Sequence, residues 1–95
     1  MKKSQNGLGW RVEFTRQAEK HLQKLGAVDR DRVRKFLRQN VEGADDPRRL
    51  GKALGGTMSD FWRYRVGDIR ILCRIEDERV VVVVVEVGNR REVYR

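Results

Sequence analysis

The chain has 95 residues, one cysteine and one histidine, so it suffices for one domain and excludes an internal disulfide and a cysteine-based zinc site. No apolar stretch approaches the roughly 20 residues that cross a bilayer, and the first residues lack the apolar core of a secretory signal, so we expect a cytoplasmic protein with no membrane partner. Its 22 basic and 14 acidic residues give a net charge of +8, which predicts attraction to a polyphosphate, an acidic protein or an anionic membrane, unless the charge serves a solvated surface.

The N-terminal half predicts a loose tail, a short strand and two helices. Residues 1–9 are polar, and residues 10–14 alternate apolar and charged side chains, as a half-buried strand does. Thr15 can cap a first helix that Gly26 ends, and Asp29 can cap a second one. The short join predicts an antiparallel helical hairpin. Apolar residues recur at helical spacing, namely Ala18, Leu22 and Leu25, then Val33, Phe36, Leu37 and Val41.

The C-terminal half predicts three strands, after a break at residues 42–47 and a basic, glycine-rich stretch at residues 48–56. They cover residues 61–66, 69–75 and 80–87. The order strand, helix, helix, strand, strand, strand indicates a single α+β domain over residues 10–95. We expect an antiparallel sheet of about four strands with the helical hairpin packed on one face.

A turn at Gly67 and Asp68 predicts which side chains share a face of the central hairpin. Glycine in the first turn position accepts a positive φ, and this turn sets Arg65 opposite Arg70. Directly opposed residues share a face, so the core side takes Trp62, Tyr64, Val66, Ile69, Ile71, Cys73 and Ile75. The other side gathers Arg63, Arg65, Arg70 and Arg74. Opposed like charges are unfavourable, so either a bound anion neutralises them, which we favour, or their stems cover the sheet while their heads reach water.

The last strand is predicted from a pairing of Glu76 with Val80. This register sets Glu86 opposite Arg70 on the basic face. It also directs four valines toward the core, namely Val81, Val83, Val85 and Val87. A shift of one residue would bury Glu86, which is costly for an unpaired carboxylate. Glu86 is then either an ion-pair partner that orients Arg70 or a catalytic base. We favour the ion pair, because neighbouring arginines keep a carboxylate weakly basic.

Other polar and reactive side chains have simple interpretations. Cys73 is expected to pack as a small apolar strand residue, and His21 to lie on a helix away from the basic face. The outer face of the second helix is as consistent with a solvated surface as with RNA contact; it carries Arg30, Arg32, Arg34, Lys35 and Arg38.

Three stretches of the chain, in this order, resemble one superfamily of bacterial toxins. They are Asp-Pro-Arg-Arg-Leu-Gly-Lys at residues 46–52, Trp-Arg-Tyr-Arg-Val-Gly-Asp-Ile-Arg-Ile at 62–71, and Val-Gly-Asn-Arg-Arg-Glu-Val-Tyr at 87–94. Together they resemble the RelE/ParE superfamily of type II toxin–antitoxin systems, in its RelE-like branch. The resemblance implies the RelE-like microbial ribonuclease fold and a metal-independent endoribonuclease, without a cofactor, that cleaves mRNA in the A site of the 70S ribosome. It also implies a RelB-like antitoxin, which inhibits the toxin and links it to operator DNA.

The resemblance also assigns roles to particular residues of this chain. It implies a catalytic set of Arg63, Arg65, Arg70, Arg90 and Tyr94. Basic residues near this set are expected to bind RNA, namely Arg48, Arg49, Lys52, Arg74 and Arg91. Arginines bind phosphate oxygens in a bidentate fork and stabilise a phosphorane-like transition state. Tyr94 is either the base that activates the ribose 2′-OH or a platform for stacking. Asn89 stands where many relatives carry a histidine.

Two other functions are compatible with the same fold. A ParE-like member would inhibit DNA gyrase by protein contact and cut nothing, but such members generally lack the clustered arginines and tyrosine. A catalytically inactive member would keep RNA or antitoxin binding without chemistry. We rank the ribosome-associated nuclease first, because arginines together with Tyr94 match the chemistry of RNA cleavage.

Overall fold

The computed structural model describes residues 9–55 and 61–89, so the predicted tail over residues 1–9 lies outside the described residues except for Gly9. The described elements are β1 (Arg11–Phe14), α1 (Arg16–Lys24), α2 (Ala27–Asn40), β2 (Lys52–Ala53), β3 (Phe61–Val66), β4 (Ile69–Glu76) and β5 (Val81–Asn89). The strands form one sheet in the order β1-β5-β4-β3-β2. Neither described helix is long and apolar enough to span a membrane.

The predicted α+β class is confirmed, but the sheet has an additional strand and is not wholly antiparallel. β1 runs parallel to β5, with Arg11 beside Val81 and Phe14 beside Val84. Parallel neighbours need a long crossover connection, and the chain between β1 and β5 supplies it. The additional strand is the two-residue β2, which pairs with β3 at the opposite edge. The parallel pair and the additional strand both join residues that are distant in sequence. The alternation of apolar residues along a strand does not predict which distant strand it pairs with.

Short-range signals set the two helices, with one correction. The Oγ1 atom of Thr15 accepts a hydrogen bond from the backbone N–H of Ala18 at 3.0 Å, so the predicted cap of α1 is confirmed. The prediction that Asp29 caps the second helix is wrong, because α2 begins at Ala27 with Gly26 as its N-cap residue. Gly26 has a φ of 89°, which glycine adopts without strain. It therefore both follows α1 and starts α2, and Asp29 lies inside the first turn.

Both helices and one face of the sheet share the hydrophobic core. Tyr64, Ile71 and Cys73 of the central hairpin are fully buried, and the ring centroid of Tyr64 lies 5.7 Å from that of Phe36 on α2. The predicted core side of the hairpin is confirmed, since the same cluster includes or packs against Trp62, Val66, Ile69 and Ile75. Burial raises the pKa of the Cys73 thiol, so Cys73 is a packing residue, as predicted.

The predicted register of the last strand is wrong. Glu76 pairs with Val81 rather than with Val80, because Val80 belongs to the turn. A β-bulge farther along β5 then leaves Val85 without a paired residue on β4. The β5 valines that join the core are Val82, Val84 and Val87, so the prediction was right for Val87 and wrong for Val81, Val83 and Val85.

The bulge decides the position of Glu86. The shift of register would by itself turn Glu86 into the core, and the extra residue at Val85 reverses the alternation again. Glu86 therefore lies opposite Leu72 and not opposite Arg70 as predicted. Its Oε2 atom accepts a hydrogen bond from Nε2 of Gln17 at 3.4 Å. The carboxylate thus stays out of the apolar core despite the changed register.

An ion-pair network flanks two valines that are buried on the outer face of the sheet, the face away from the helices. Glu76 lies beside Val81 and Glu13 beside Val83. Arg79 joins the two carboxylates, with Nη1 2.7 Å from Glu76 and Nη2 3.3 Å from Glu13. Hydrogen bonds from Arg79 lower the pKa of Glu76 below its usual range. Charged side chains therefore border the end of the sheet opposite the Gly67 turn.

Replacing Val80 is expected to stabilise the protein. Val80 has a φ of 56°, a left-handed conformation that costs an L-residue roughly 1–2 kcal/mol and that asparagine tolerates better. We expect Val80→Asn to raise the free energy of unfolding by about 0.5–1 kcal/mol, measured by urea denaturation. Glu78→Asn changes the same turn at a residue without a positive φ and is the control. Equal unfolding midpoints for the two variants would contradict the strain argument.

Candidate nucleic-acid interface

The hairpin of β3 and β4 carries three arginines of the predicted catalytic set. Its register is the predicted one, with Arg65 opposite Arg70 and Arg63 opposite Leu72. Gly67 has a φ of 60°, which allows a two-residue turn. Because opposed residues share a face, Arg63, Arg65 and Arg70 lie together on the outer face. Arg74 lies two residues beyond Leu72 on β4 and takes the same face, so the prediction that Arg63, Arg65, Arg70 and Arg74 share a face is confirmed.

A lysine from the sheet edge extends this arginine face. β2 sets Lys52 beside Arg63, while Arg70 faces Gly88 of β5, which has no side chain. We call Lys52, Arg63, Arg65 and Arg70 the basic cluster; Lys52 and Arg65 are exposed, and the other two are half-buried. Across the strand pairs, Lys52 stands opposite Arg63 and Arg65 stands opposite Arg70. The cluster therefore concentrates positive charge that suits an anion.

Two aromatic side chains of β3 hold residues 46–52 against the sheet; we call this segment the strap. The buried hydroxyl of Tyr64 donates a hydrogen bond to the carbonyl of Pro47. The Nε1–H of Trp62 donates to the carbonyl of Leu50 at 2.8 Å. Burial raises the pKa of Tyr64, so its hydroxyl keeps the proton that it donates. These bonds bring Lys52, at the end of the strap, to β3.

Arg48 is a third anchor of the strap. Its Nη1 and Nη2 atoms lie 2.9 Å from the two carboxylate oxygens of Asp77, and these hydrogen bonds lower the pKa of Asp77. Arg74 is engaged similarly, with its Nε atom 3.2 Å from Oε2 of Glu76. Arg48 and Arg74 line one groove together with both carboxylates. The charges of Arg48 and Arg74 are therefore balanced locally. Arg49 is exposed on the strap.

Gly51 allows the strap to approach β3, and Gly51→Ala is expected to destabilise the protein. Gly51 has a φ of 87°, and a Cβ atom there would lie 2.4 Å from the carbonyl oxygen of Arg63. The strained φ and the backbone contact together predict a loss of about 2 kcal/mol or more in the free energy of unfolding. Thermal and urea unfolding measure it. Gly55→Ala is the control, because a Cβ at Gly55 meets nothing within 4 Å; equal losses in both variants would exclude the close approach.

His21 serves the fold at the edge of β5. β5 continues beyond the end of β1, and α1 covers the edge that is left open there. The Nδ1 atom of His21 accepts a hydrogen bond from the backbone N–H of Val87 at 3.2 Å, and the backbone N–H of Thr15 donates to the carbonyl of Val84 at 3.0 Å. His21 therefore seats the part of β5 that leads to Gly88, and it lies outside the basic cluster.

Three predicted site residues, Arg90, Arg91 and Tyr94, lie outside the described residues. β5 ends at Asn89, which pairs with Ile69, one position beyond the pair of Arg70 and Gly88. Within the described ranges, no three His, Cys, Asp or Glu side chains are grouped so that they could hold a metal ion.

Sequence reasoning missed the residues that anchor the strap. Trp62 and Tyr64 were assigned to the core by alternation, but the polar tip of a buried Trp or Tyr usually finds a partner, and the polar strap was the nearest candidate. No local signal joined Arg48 to Asp77, which are 29 positions apart. The hydrogen bonds from Trp62 and Tyr64 therefore attach the strap to the arginine hairpin.

The sequence of the chain matches a known family of toxins. The family described as the ParE toxin of type II toxin-antitoxin system, parDE, matches residues 12–94, and the chain belongs to this family. The predicted membership of the RelE/ParE superfamily is thereby confirmed.

The chain is similar to two named toxins and to a toxin in a solved complex. The chain is 33% identical to Toxin RelG of Mycobacterium tuberculosis (strain ATCC 25618 / H37Rv) over 84 residues, 88% of this chain and 94% of the relative. It is 34% identical to the mRNA interferase toxin RelE of Escherichia coli (strain K12) over 87 residues, 87% of each chain. A chain in the crystal structure of the toxin-antitoxin complex RelBE2 from Mycobacterium tuberculosis superposes with a TM-score of 0.79 and 30% identity, covering 92% of this chain and 98% of that one.

Proposed function

We propose that this chain is a metal-independent endoribonuclease that cleaves mRNA in the ribosomal A site and acts in the cytoplasm as the toxin of a toxin–antitoxin pair. The observation that supports this function is the basic cluster, in which Lys52 stands beside Arg63 and Arg65 stands opposite Arg70 on one face of the sheet. Opposed like charges lower the stability of the free protein, and a bound phosphate backbone offsets their repulsion. RNA carries a row of phosphates and therefore suits a row of cations.

Cleavage proceeds by attack of a ribose 2′-oxygen on the adjacent phosphorus. The 2′-OH loses its proton to a base, the bond from phosphorus to the 5′-oxygen breaks, and that oxygen takes up a proton. The products are a 2′,3′-cyclic phosphate and a 5′-hydroxyl. Arg63, Arg65 and Arg70 stabilise the additional charge on the phosphate oxygens, because guanidinium groups stay charged and bind in a bidentate fork. Arg90 extends this set, and Tyr94 is the proposed base.

The ribosome is proposed to align the substrate. Arginine is a poor proton carrier, since it stays protonated in proteins, and alignment of the 2′-oxygen with the phosphorus must therefore contribute much of the rate. RNA held in the ribosomal A site is already constrained in this way. The E. coli relative, 34% identical over 87% of this chain, is named an mRNA interferase, which supports the same reaction here.

A RelB-like antitoxin is the proposed inhibitory partner. The M. tuberculosis structure at 30% identity is of a toxin-antitoxin complex named RelBE2, which supports a partner of this type. A net charge of +8 favours an acidic antitoxin segment. Contact with operator DNA is proposed to pass through the antitoxin.

Inhibition of DNA gyrase without RNA cleavage is the second candidate function. The observation in its favour is the family match, because the matched family is described as the ParE toxin. Arrest of growth with intact mRNA and loss of supercoiling activity would support this alternative.

Primer extension on an mRNA in a purified translation system tests the proposal. We expect cuts at defined codon positions that require ribosomes, and fragments with 2′,3′-cyclic phosphate and 5′-hydroxyl ends. Metal chelation cannot be applied to ribosomes, so the end chemistry of the fragments distinguishes this mechanism from metal-dependent hydrolysis. Intact mRNA at concentrations that arrest growth would overturn the proposal and make gyrase supercoiling the next assay.

A further inference from the structure

A groove between the strap and α2 borders the basic cluster. It has a volume of about 300 Å³ and is lined by Phe36, Leu50, Gly51, Lys52, Arg63 and Arg65. Pockets for small ligands begin at roughly 300 Å³, so the groove suits one nucleotide. We propose that it binds a nucleotide neighbouring the cleaved bond, with the base against Leu50 and Phe36 and the phosphate between Lys52 and the arginines. This inference rests on the proposed function and extends it to a further part of the substrate.

Leu50 and Phe36 provide the apolar wall. Leu50 is 39% exposed, which places it among the exposed large apolar residues of the described ranges. Its carbonyl accepts a hydrogen bond from Nε1 of Trp62 at 2.8 Å, which holds the Leu50 backbone against β3. Phe36 is half-buried, with its ring supported by that of Tyr64. Nucleobases bind aromatic and apolar surfaces of this kind by stacking, with little dependence on sequence.

The charged wall of the groove is entirely basic within the described residues. Lys52 lies beside Arg63 across the β2–β3 pair, and Arg65 follows on the same face of β3. The groove at the end of the sheet offers a contrast, because its arginines Arg48 and Arg74 are paired with carboxylates that line the same space. An anion is therefore expected to select the groove beside Leu50 over the one beside Asp77.

The sheet edge at this groove favours RNA over an added peptide strand. β2 already pairs with β3 at Lys52 and Ala53, and the backbone N–H of Leu54 donates to the carbonyl of Phe61 at 3.2 Å. A peptide strand adding along β3 would have to displace this part of the edge. A nucleotide needs no backbone edge, because stacking and phosphate contacts are enough to hold it. Since Arg63 and Arg65 belong to both sites, the RNA strand can continue from the groove to Arg70.

Binding of a 2′-O-methylated RNA hexamer to the full-length chain tests the inference apart from cleavage, because this RNA has no free 2′-OH. Leu50→Glu is expected to weaken binding by roughly tenfold or more, since it removes apolar contact and adds a repelling charge. Lys52→Gln is expected to weaken binding and to reduce the slope of log K against log salt by about 0.7, the signature of one lost phosphate contact on a single strand. Val28→Glu and Lys20→Gln are the matched controls; Val28 is 74% exposed and Lys20 is exposed on α1.

Each outcome bears on the inference. Hexamer binding that is absent in the wild-type chain, or that is equal in Leu50→Glu and Val28→Glu, overturns it. Unchanged RNA binding with a weakened antitoxin complex in Leu50→Glu also overturns it and assigns the groove to the antitoxin. Failure of the proposed function is a separate result: wild type would then leave mRNA intact in the translation assay while the hexamer still binds with the expected dependence on Leu50 and Lys52. Unfolding midpoints measured for each variant exclude loss of fold as the cause.

Discussion

Arg70→Ala is expected to reduce the rate of mRNA cleavage by a factor of about 10²–10³. Arg70 is half-buried on the outer face, opposite Arg65 on one side and Gly88 on the other. A cation in such a position is partly removed from water, where its interaction with a transition-state charge is stronger than at the open surface. Primer extension and single-turnover fragment analysis in a purified translation system measure the rate.

The control for Arg70→Ala is the same substitution at an arginine that lies outside the basic cluster. Arg16→Ala removes an exposed guanidinium on α1 and is expected to change cleavage by less than about threefold, because an exposed charge is screened. Arg70→Lys separates charge from geometry: a point charge without the bidentate fork should restore part of the rate. If Arg70→Ala and Arg16→Ala cleave at the same rate, the basic cluster does not stabilise the transition state.

Tyr64→Phe is expected to lower the free energy of unfolding by about 1–3 kcal/mol, the cost of leaving a buried acceptor without its donor. Tyr64 is fully buried, and its hydroxyl donates to the carbonyl of the buried Pro47. In a domain of this size each kcal/mol shifts the Tm by roughly 4–8 °C. Thermal unfolding followed by circular dichroism measures the change. Loosening of the strap is also expected to weaken RNA binding, since it moves Lys52 away from Arg63.

Trp62→Phe removes the other aromatic anchor and is the comparison for Tyr64→Phe. The hydrogen bond from Trp62 to Leu50 is exposed, so water can replace the lost donor, and we expect a loss below about 1 kcal/mol. The double variant should show coupling, because both anchors hold the same segment. A Tyr64→Phe protein as stable as wild type would mean that the Pro47 carbonyl finds another donor and that the strap does not depend on this bond.

Much of the arginine face could be read from local sequence. A two-residue turn and strict alternation were enough to set Arg65 opposite Arg70, because a hairpin register depends on residues close together in the chain. The same reasoning gave the wrong register for the next hairpin, which joins β4 to β5. The turn before β5 includes Val80 in a left-handed conformation that its residue type does not favour, and the shifted register is then corrected by a bulge at Val85 that no sequence feature marked.

The sequence by itself determined the α+β class, the hairpin with its shared arginines, the Thr15 cap and the buried role of Cys73, because each follows from spacing, turn chemistry or apolar pattern within a few residues. The tertiary structure decided which cations remain available to a ligand. Arg48 and Arg74 looked equivalent to Lys52 in the sequence, but carboxylates brought close by the fold engage both arginines, while Lys52 meets Arg63 across the sheet edge. The physical reason is that the attraction of a charged side chain for a ligand depends on the charges close to it in space. The pairing of strands that are distant in sequence determines which charges these are.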